Sequence, residues 1–195
     1  MSQTQNFDFD VMVDLETLGI RPNAAIVAIG AWPFRLDGQP TNHPSFYRNV
    51  SAEDSIASGL SVSGETIMLW LRRPETAWER LLTPEPVDLD QALADFQGWC
   101  AALCRDGEPD GFRLWAHGEN FDIPILESAY HASALKKPWR HDACRDARTL
   151  FHAADMDWEA EMAGLDGTEC DVRAIARMQA TLVKRAWHQL KGQGR

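Results

Sequence analysis

Alternating apolar and polar positions from Phe7 to Val13 run into the acidic triplet Asp14-Leu15-Glu16, which predicts a strand that ends on carboxylates. Ala24 to Phe34 is an apolar, β-rich run, and Asp37-Gly38 supplies the next turn, so it reads as an antiparallel partner. Ser45 to Val50 predicts a third, shorter strand, and three strands without a helix between them predict a meander. From Gly64 the period changes. Ile67, Trp70 and Leu71 predict a short helix stopped before Pro74, and Glu75 to Leu82 another stopped before Pro84. Between Asp88 and Cys104, Leu89, Leu93, Phe96, Cys100 and Leu103 recur at helical spacing. Arg105 to Gly111 reads as a loop, Phe112 to Ala116 as a strand, and Phe121 to about Ala134 as a helix after the turn His117-Gly118-Glu119-Asn120. Arg145 to His152 reads as helical and Ala153 to Gly167 as acidic and irregular. The last helix runs from about Asp171 to Leu190, with Val172, Ile175, Gln179, Leu182, Ala186 and Leu190 on one face. Strands first, then mixed helices and strands, predict an α/β fold with a mixed sheet.

The 195 residues fit one domain, 1–195, since domains commonly hold roughly 100–200 residues. A hydrophobic fraction of 45% with 25% charged residues is that of a globular chain and excludes a disordered or collagen-like one. No apolar run reaches the roughly 18 residues needed to cross a bilayer, so no membrane partner is expected. The polar start, Met1 to Phe9, lacks the pattern of a signal peptide. Cys100, Cys104, Cys144 and Cys170 make neither a Cys-x-x-Cys pair nor a zinc-ribbon spacing, and the expectation is a reduced, cytoplasmic protein. A net charge of −10 argues against broad electrostatic binding to nucleic acid, but it is compatible with carboxylates that meet phosphate through metal ions.

Asp14 and Glu16 stand at i, i+2, which puts both side chains on one face of a strand. Two such carboxylates repel, and a hard divalent cation reconciles them; a solvated acidic strand end is the plainer alternative. Thr17-Leu18-Gly19 then forms a small turn that lets a substrate backbone approach. In Trp115-Ala116-His117-Gly118-Glu119-Asn120-Phe121-Asp122, a strand and a glycine turn bring an acid to the opening of a helix. Asp122 either joins the first two acids or stabilises the helix N-terminus.

These segments together resemble one family, the DEDD-type 3′–5′ exonucleases with an RNase H-like fold, in particular the small phage and bacterial exoribonucleases. The resemblance spans nearly the whole chain. It rests on Val13 to Gly19, Pro22 to Val27, Ile29 to Ala31, Phe46 to Asn49, Trp70-Leu71, Trp115 to Asp122 and Arg145-Asp146-Ala147-Arg148-Thr149-Leu150. It implies an antiparallel three-strand meander continued by parallel strands and flanked by helices. It implies hydrolysis at the 3′ end of single-stranded RNA or DNA, with two Mg²⁺ or Mn²⁺ ions held by four carboxylates. Asp14, Glu16 and Asp122 match three of the four by position. Leu18 matches the apolar residue that lies against the terminal base, with Thr17 and Gly19 beside it. Homodimers are an expectation of the same resemblance.

The third motif departs from the family. The expected His-x-x-x-x-Asp before a Gln-Ala pair falls on Cys170 and Ile175, with Gln179-Ala180 following. A second alignment takes Asp171 as the acid and leaves Asp166 in place of the histidine. Asp171 lies one helical turn before Ile175, so it is a candidate metal ligand; Thr168-x-x-Asp171 also reads as a helix cap. Only one ion is retained if no fourth oxygen is found. His117, His141, His152 and His188 are the remaining candidate bases. Lys136 to Arg148 is the one locally basic segment, and Arg145 and Arg148 are its candidate phosphate contacts. The sequence therefore predicts a metal-dependent 3′–5′ exonuclease, with activity impaired by the third motif. The alternatives are a nuclease fold that binds nucleic acid or a protein without cleaving it, and a hydrolase of small nucleotides.

Overall fold

The computed structural model describes residues 7, 9–104, 111–118, 120–163 and 171–193. Five strands form one sheet, ordered β3-β2-β1-β4-β5. Strand β1 (Phe9–Thr17) pairs antiparallel with β2 (Ile26–Phe34), and β2 pairs antiparallel with β3 (Phe46–Asn49). On the other side, β1 pairs in parallel with β4 (Phe112–Ala116), and β4 with β5 (Cys144–Asp146). The meander and the parallel strands are those expected from the sequence. Two details differ. Strand β1 continues through the acidic triplet, because β2 pairs with it as far as Ile26 opposite Thr17. Cys144 to Asp146 is a strand before it is a helix.

Helices cover both faces. Val11, Val13 and Leu15 point to one core with Leu93 and Phe96 of α4 (Leu89–Leu103) and Ile125 of α5 (Asp122–Ala132). Met12 points the other way, toward Phe151 of α6 (Ala147–Ala153) and Ala180 and Val183 of α8 (Val172–Gln193). The period of two along β1 puts Asp10, Asp14 and Glu16 on the face that α8 covers. Among the described residues, a 3-10 turn (His141–Ala143) and four shorter helices complete the fold. Two are read from the pattern, α2 (Gly64–Trp70) and α3 (Glu75–Leu82). Two are not, α1 (Ala52–Ala57) and α7 (Trp158–Ala163).

One glycine sets how closely α8 lies on the sheet. A Cβ on Gly30 of β2 would come within 2.5 Å of the Arg173 nitrogen and the Val172 carbonyl carbon. Backbone cannot yield there as a side chain can. Gly30→Ala should lift the start of α8 and lower stability by roughly 1–3 kcal/mol in denaturant unfolding. Gly98, inside α4 with open space around it, is the control: Gly98→Ala should raise stability by about 0.5–1 kcal/mol. Equal effects at the two positions would contradict the close approach.

Candidate active site

Beyond Met12, β1 has no pairing with β4, so its last turn of carboxylates faces a cleft at the end of the parallel pair. Such crevices beyond the carboxyl ends of parallel strands are where open α/β sheets bind ligands. Asp122 enters this cleft from the first turn of α5. It is 4% exposed, and one of its oxygens accepts the Leu15 amide at 3.1 Å. From the covering helix, the Gln179 side-chain amide donates to Asp14 Oδ1 at 3.2 Å. Three segments distant in sequence therefore meet at Asp14.

The strand carries an internal comparison. Asp10, on the same face of β1, is buried but held by the Arg113 guanidinium at 2.6 and 2.8 Å and by the Trp115 indole at 2.7 Å. Asp14 has no such cation among the described residues. Burial first, then the charges of Asp122 and Glu16, push its carboxyl well above the usual range, and the Gln179 hydrogen bond only partly opposes this. Burial likewise pushes Asp122 up to about 7, against the lowering effect of the Leu15 amide. Glu16 is raised by burial and drawn back by Arg73, which donates to its Oε1 at 3.1 Å and stacks on Trp70 at 4.3 Å. The Trp70 indole in turn donates to the Thr17 carbonyl at 3.0 Å, so α2 is fastened to the acidic end of β1.

A pH dependence follows. An unfolded aspartate titrates near 3.9, so between about 4 and about 7 the folded chain keeps protons at Asp122 that the unfolded chain has released. The contribution of Asp122 to stability without metal is therefore fully present below that window and lost as pH rises through it, by a few kcal/mol, and His117, held down to about 4, opposes it up to about 6.5. Asp14 adds in the same direction as Asp122. Thermal unfolding in EDTA at pH 5 and pH 8 checks this; a divalent ion that binds the deprotonated cluster should flatten or reverse the slope.

Crowded hard oxygens raised in pKa, with Asp14 facing no cation among the described residues, suit a divalent ion. The set is nevertheless incomplete. Among the described residues, no three His, Cys, Asp or Glu side chains lie close enough to hold an ion by themselves. Ile175, where the fourth carboxylate is expected, lines the same groove as Asp14, Glu16, Gly19 and Arg73 and offers no oxygen. Asp171 is turned to another task. Its Oδ1 accepts the Ala174 amide at 2.7 Å as the cap of α8, and its Oδ2 accepts from Arg173 at 3.2 Å. Cys170, Thr168 and Asp166 lie outside the described residues.

The other sequence candidates divide. Thr17 lines the groove, but its hydroxyl donates to the Gly19 carbonyl at 2.7 Å. Leu18 is 7% exposed and packed in the core, so it has little surface left for a base. Arg148 reaches the site: its guanidinium lies over Gly118, which has φ +103, and its charge lowers the Asp122 carboxyl. Arg145 does not. It donates to the Asp142 and Cys144 carbonyls and lies over Phe7, at the opposite end of β1 from Glu16. His117 packs edge-on to Trp158 at 4.1 Å, and burial, then Arg148, lowers it to about 4, too weak a base for efficient proton transfer near neutrality. His141, His152 and His188 are exposed, and His188 lies by Gly38 at the far end of the sheet. Sequence reading missed Arg73, whose pairing with Glu16 spans 57 residues.

Comparison with solved structures agrees with this architecture. Exonuclease I of E. coli, in complex with a dT13 oligonucleotide, is similar at a TM-score of 0.65 and 11% identity, over 95% of this chain and 42% of that one. This chain thus spans less than half the length of exonuclease I. The nuclease domain of 3′hExo, a DEDDh family member bound to rAMP, is similar at 0.59 and 14% identity, over 93% and 92% of the two chains. The RNase domain of yeast Pop2 is similar at 0.52 and 10% identity, over 96% and 78%. No curated protein sequence matches. The fold is the RNase H-like one of these nucleases, and residues 9–187 match the 3′–5′ exoribonuclease Rv2179c-like domain. This chain belongs to that family, the 3′–5′ exoribonuclease Rv2179c-like domains.

Proposed function

We propose that the chain is a divalent-metal-dependent 3′–5′ exonuclease acting on single-stranded RNA or DNA, with Asp14, Glu16 and Asp122 as its metal-holding acids. The observation that carries this is the contrast within β1: Asp10 is neutralised by Arg113, whereas Asp14 is crowded against Asp122 and Glu16 with no cation of its own among the described residues. A bound Mg²⁺ or Mn²⁺ would supply a nucleophilic water and offset charge on the phosphate. The chain's own residues do the rest. Gln179 fixes the rotamer of Asp14, the Leu15 amide fixes Asp122, and Arg73 and Arg148 put positive charge on either side of the acids. With Ile175 in place of a fourth acid, one ion rather than two suits the groove.

Ile175 also favours a second reading, a fold that binds nucleic acid without cutting it. Purified protein with 5′-labelled and 3′-labelled RNA and DNA, in Mn²⁺, Mg²⁺ or EDTA, separates the two. Metal-dependent shortening from the 3′ end supports the nuclease; intact substrate under every metal, with retained binding, supports the second. Among the described residues no helix is long and apolar enough to cross a membrane. The thiol of Cys100 is buried and free, which suits the cytoplasm.

A further inference from the structure

On a chain of net charge −10, three arginines gather in one groove outside the acid site. Arg48 of β3, Arg80 of α3 and Arg173 of α8 line a groove of about 500 Å³ with Tyr47, Ser45 and Asp171. Two of the three are tethered. Arg48 donates to Asp95 at 2.6 Å and to the Tyr47 carbonyl at 2.9 Å. Arg173 donates to Asp171 at 3.2 Å and lies over the Tyr47 ring at 5.6 Å. The Arg80 guanidinium has no hydrogen-bond or ion-pair partner among the described residues, while its backbone carbonyl anchors Tyr47 Oη and the Asn49 amide at 3.2 and 2.7 Å. The groove is thus a fixed frame that presents one uncommitted guanidinium.

Its place relative to the acids is set twice over. Asp14, Gly30 and Tyr47 are paired in one row across β1, β2 and β3, so Tyr47 is two strand spacings, roughly 10 Å, from Asp14 on the same face. Helix α3 begins two residues after Arg73, which holds Glu16, and carries Arg80 in its last turn. Its eight residues span about 12 Å. Both routes give the length of about three stacked nucleotide steps of roughly 3.4 Å.

We propose that this groove binds the phosphate backbone of the single strand upstream of the 3′ terminal nucleotide, with Arg80 as its principal phosphate contact. The proposal rests on the nuclease reading of the acid site for the identity of the strand. The other use of Arg80, to complement the C-terminal dipole of α3, would affect stability and not binding.

The test is fluorescence anisotropy in EDTA, so that no cleavage enters, with a dinucleotide and an oligonucleotide of about eight nucleotides, over a range of salt. Wild-type protein should bind the longer strand more tightly. Arg80→Glu should weaken that binding about tenfold, lower its salt slope by about 1, and leave dinucleotide binding and the melting temperature unchanged. Unchanged binding of the longer strand would overturn the groove while leaving the nuclease reading intact. Equal weakening of both lengths would mean that Arg80 meets a single phosphate at the acids, and would also overturn it. Wild-type protein that binds neither length in EDTA would overturn the groove, which needs no metal, while the nucleic-acid reading is decided by the cleavage assay in Mn²⁺ or Mg²⁺.

Discussion

Asp14→Asn should lower metal-dependent 3′ shortening by at least about 100-fold, the upper range for loss of a group that merely supports a metal ligand. The same substitution should make the metal-free protein more stable at pH 8. It removes a buried charge that burial, Asp122 and Glu16 all disfavour, while the amide can still meet Gln179. The two effects have opposite signs, which distinguishes a site held under electrostatic stress from a structural carboxylate. Asp10→Asn is the comparison: with Arg113 and Trp115 left behind, it should destabilise by about 3–5 kcal/mol, as loss of one partner from a buried pair does. Melting temperatures in EDTA and in Mn²⁺ give both signs in one experiment. Wild-type protein should gain from Mn²⁺ and Asp14→Asn should not. A destabilised, metal-responsive Asp14→Asn would sink the assignment.

Ile175→Asp is the converse experiment, and its effect should be a gain. Ile175 faces the groove that holds Asp14 and Glu16, so a carboxylate there restores the fourth oxygen donor. Cleavage in Mn²⁺ should rise at least about tenfold, the lower range for a residue that tunes a metal site. Without metal the variant should lose about 1–3 kcal/mol at pH 8, since another polar group enters a partly buried acidic groove. Mn²⁺ should recover that loss. If cleavage does not rise, the double variant with Cys170→His decides whether the missing group is the acid or the base. Silence from both variants would favour the non-cleaving reading.

The sequence disclosed what is periodic and what is local. Helix α3 and strand β4 begin and end where the pattern places them, because Pro74, Pro84 and the Gly111 and His117 turns punctuate them. Asp14 and Glu16 were legible because a spacing of two fixes a common face whatever the rest of the chain does. Asp146 shows why β5 was not: it ends a three-residue strand and accepts the Arg148 and Thr149 amides as the cap of α6, and only the cap has a local signal. Arg73, Arg80 and Arg173 belong to different helices or loops, and their approach to Glu16 and Tyr47 is a product of tertiary packing. Leu18 matches by position the family's apolar residue that lies against the terminal base, yet the Trp70 anchor draws the segment down and its side chain joins the core.

The meeting of Asp14, Asp122 and Gln179 bears on how the chain acquires its site during synthesis. The contacts join positions 107 and 165 residues apart, and the last belongs to the C-terminal helix. Long loops must close before such contacts form, so assembly here is slow compared with that of the helices themselves. A chain emerging N-terminus first can pair β1 with β2 early, but it exposes the acidic face of β1 until α8 leaves the ribosome and settles on Gly30. Every nascent intermediate between residues 122 and 179 therefore carries the acids without the amide that orients Asp14, and the nuclease centre becomes organised last.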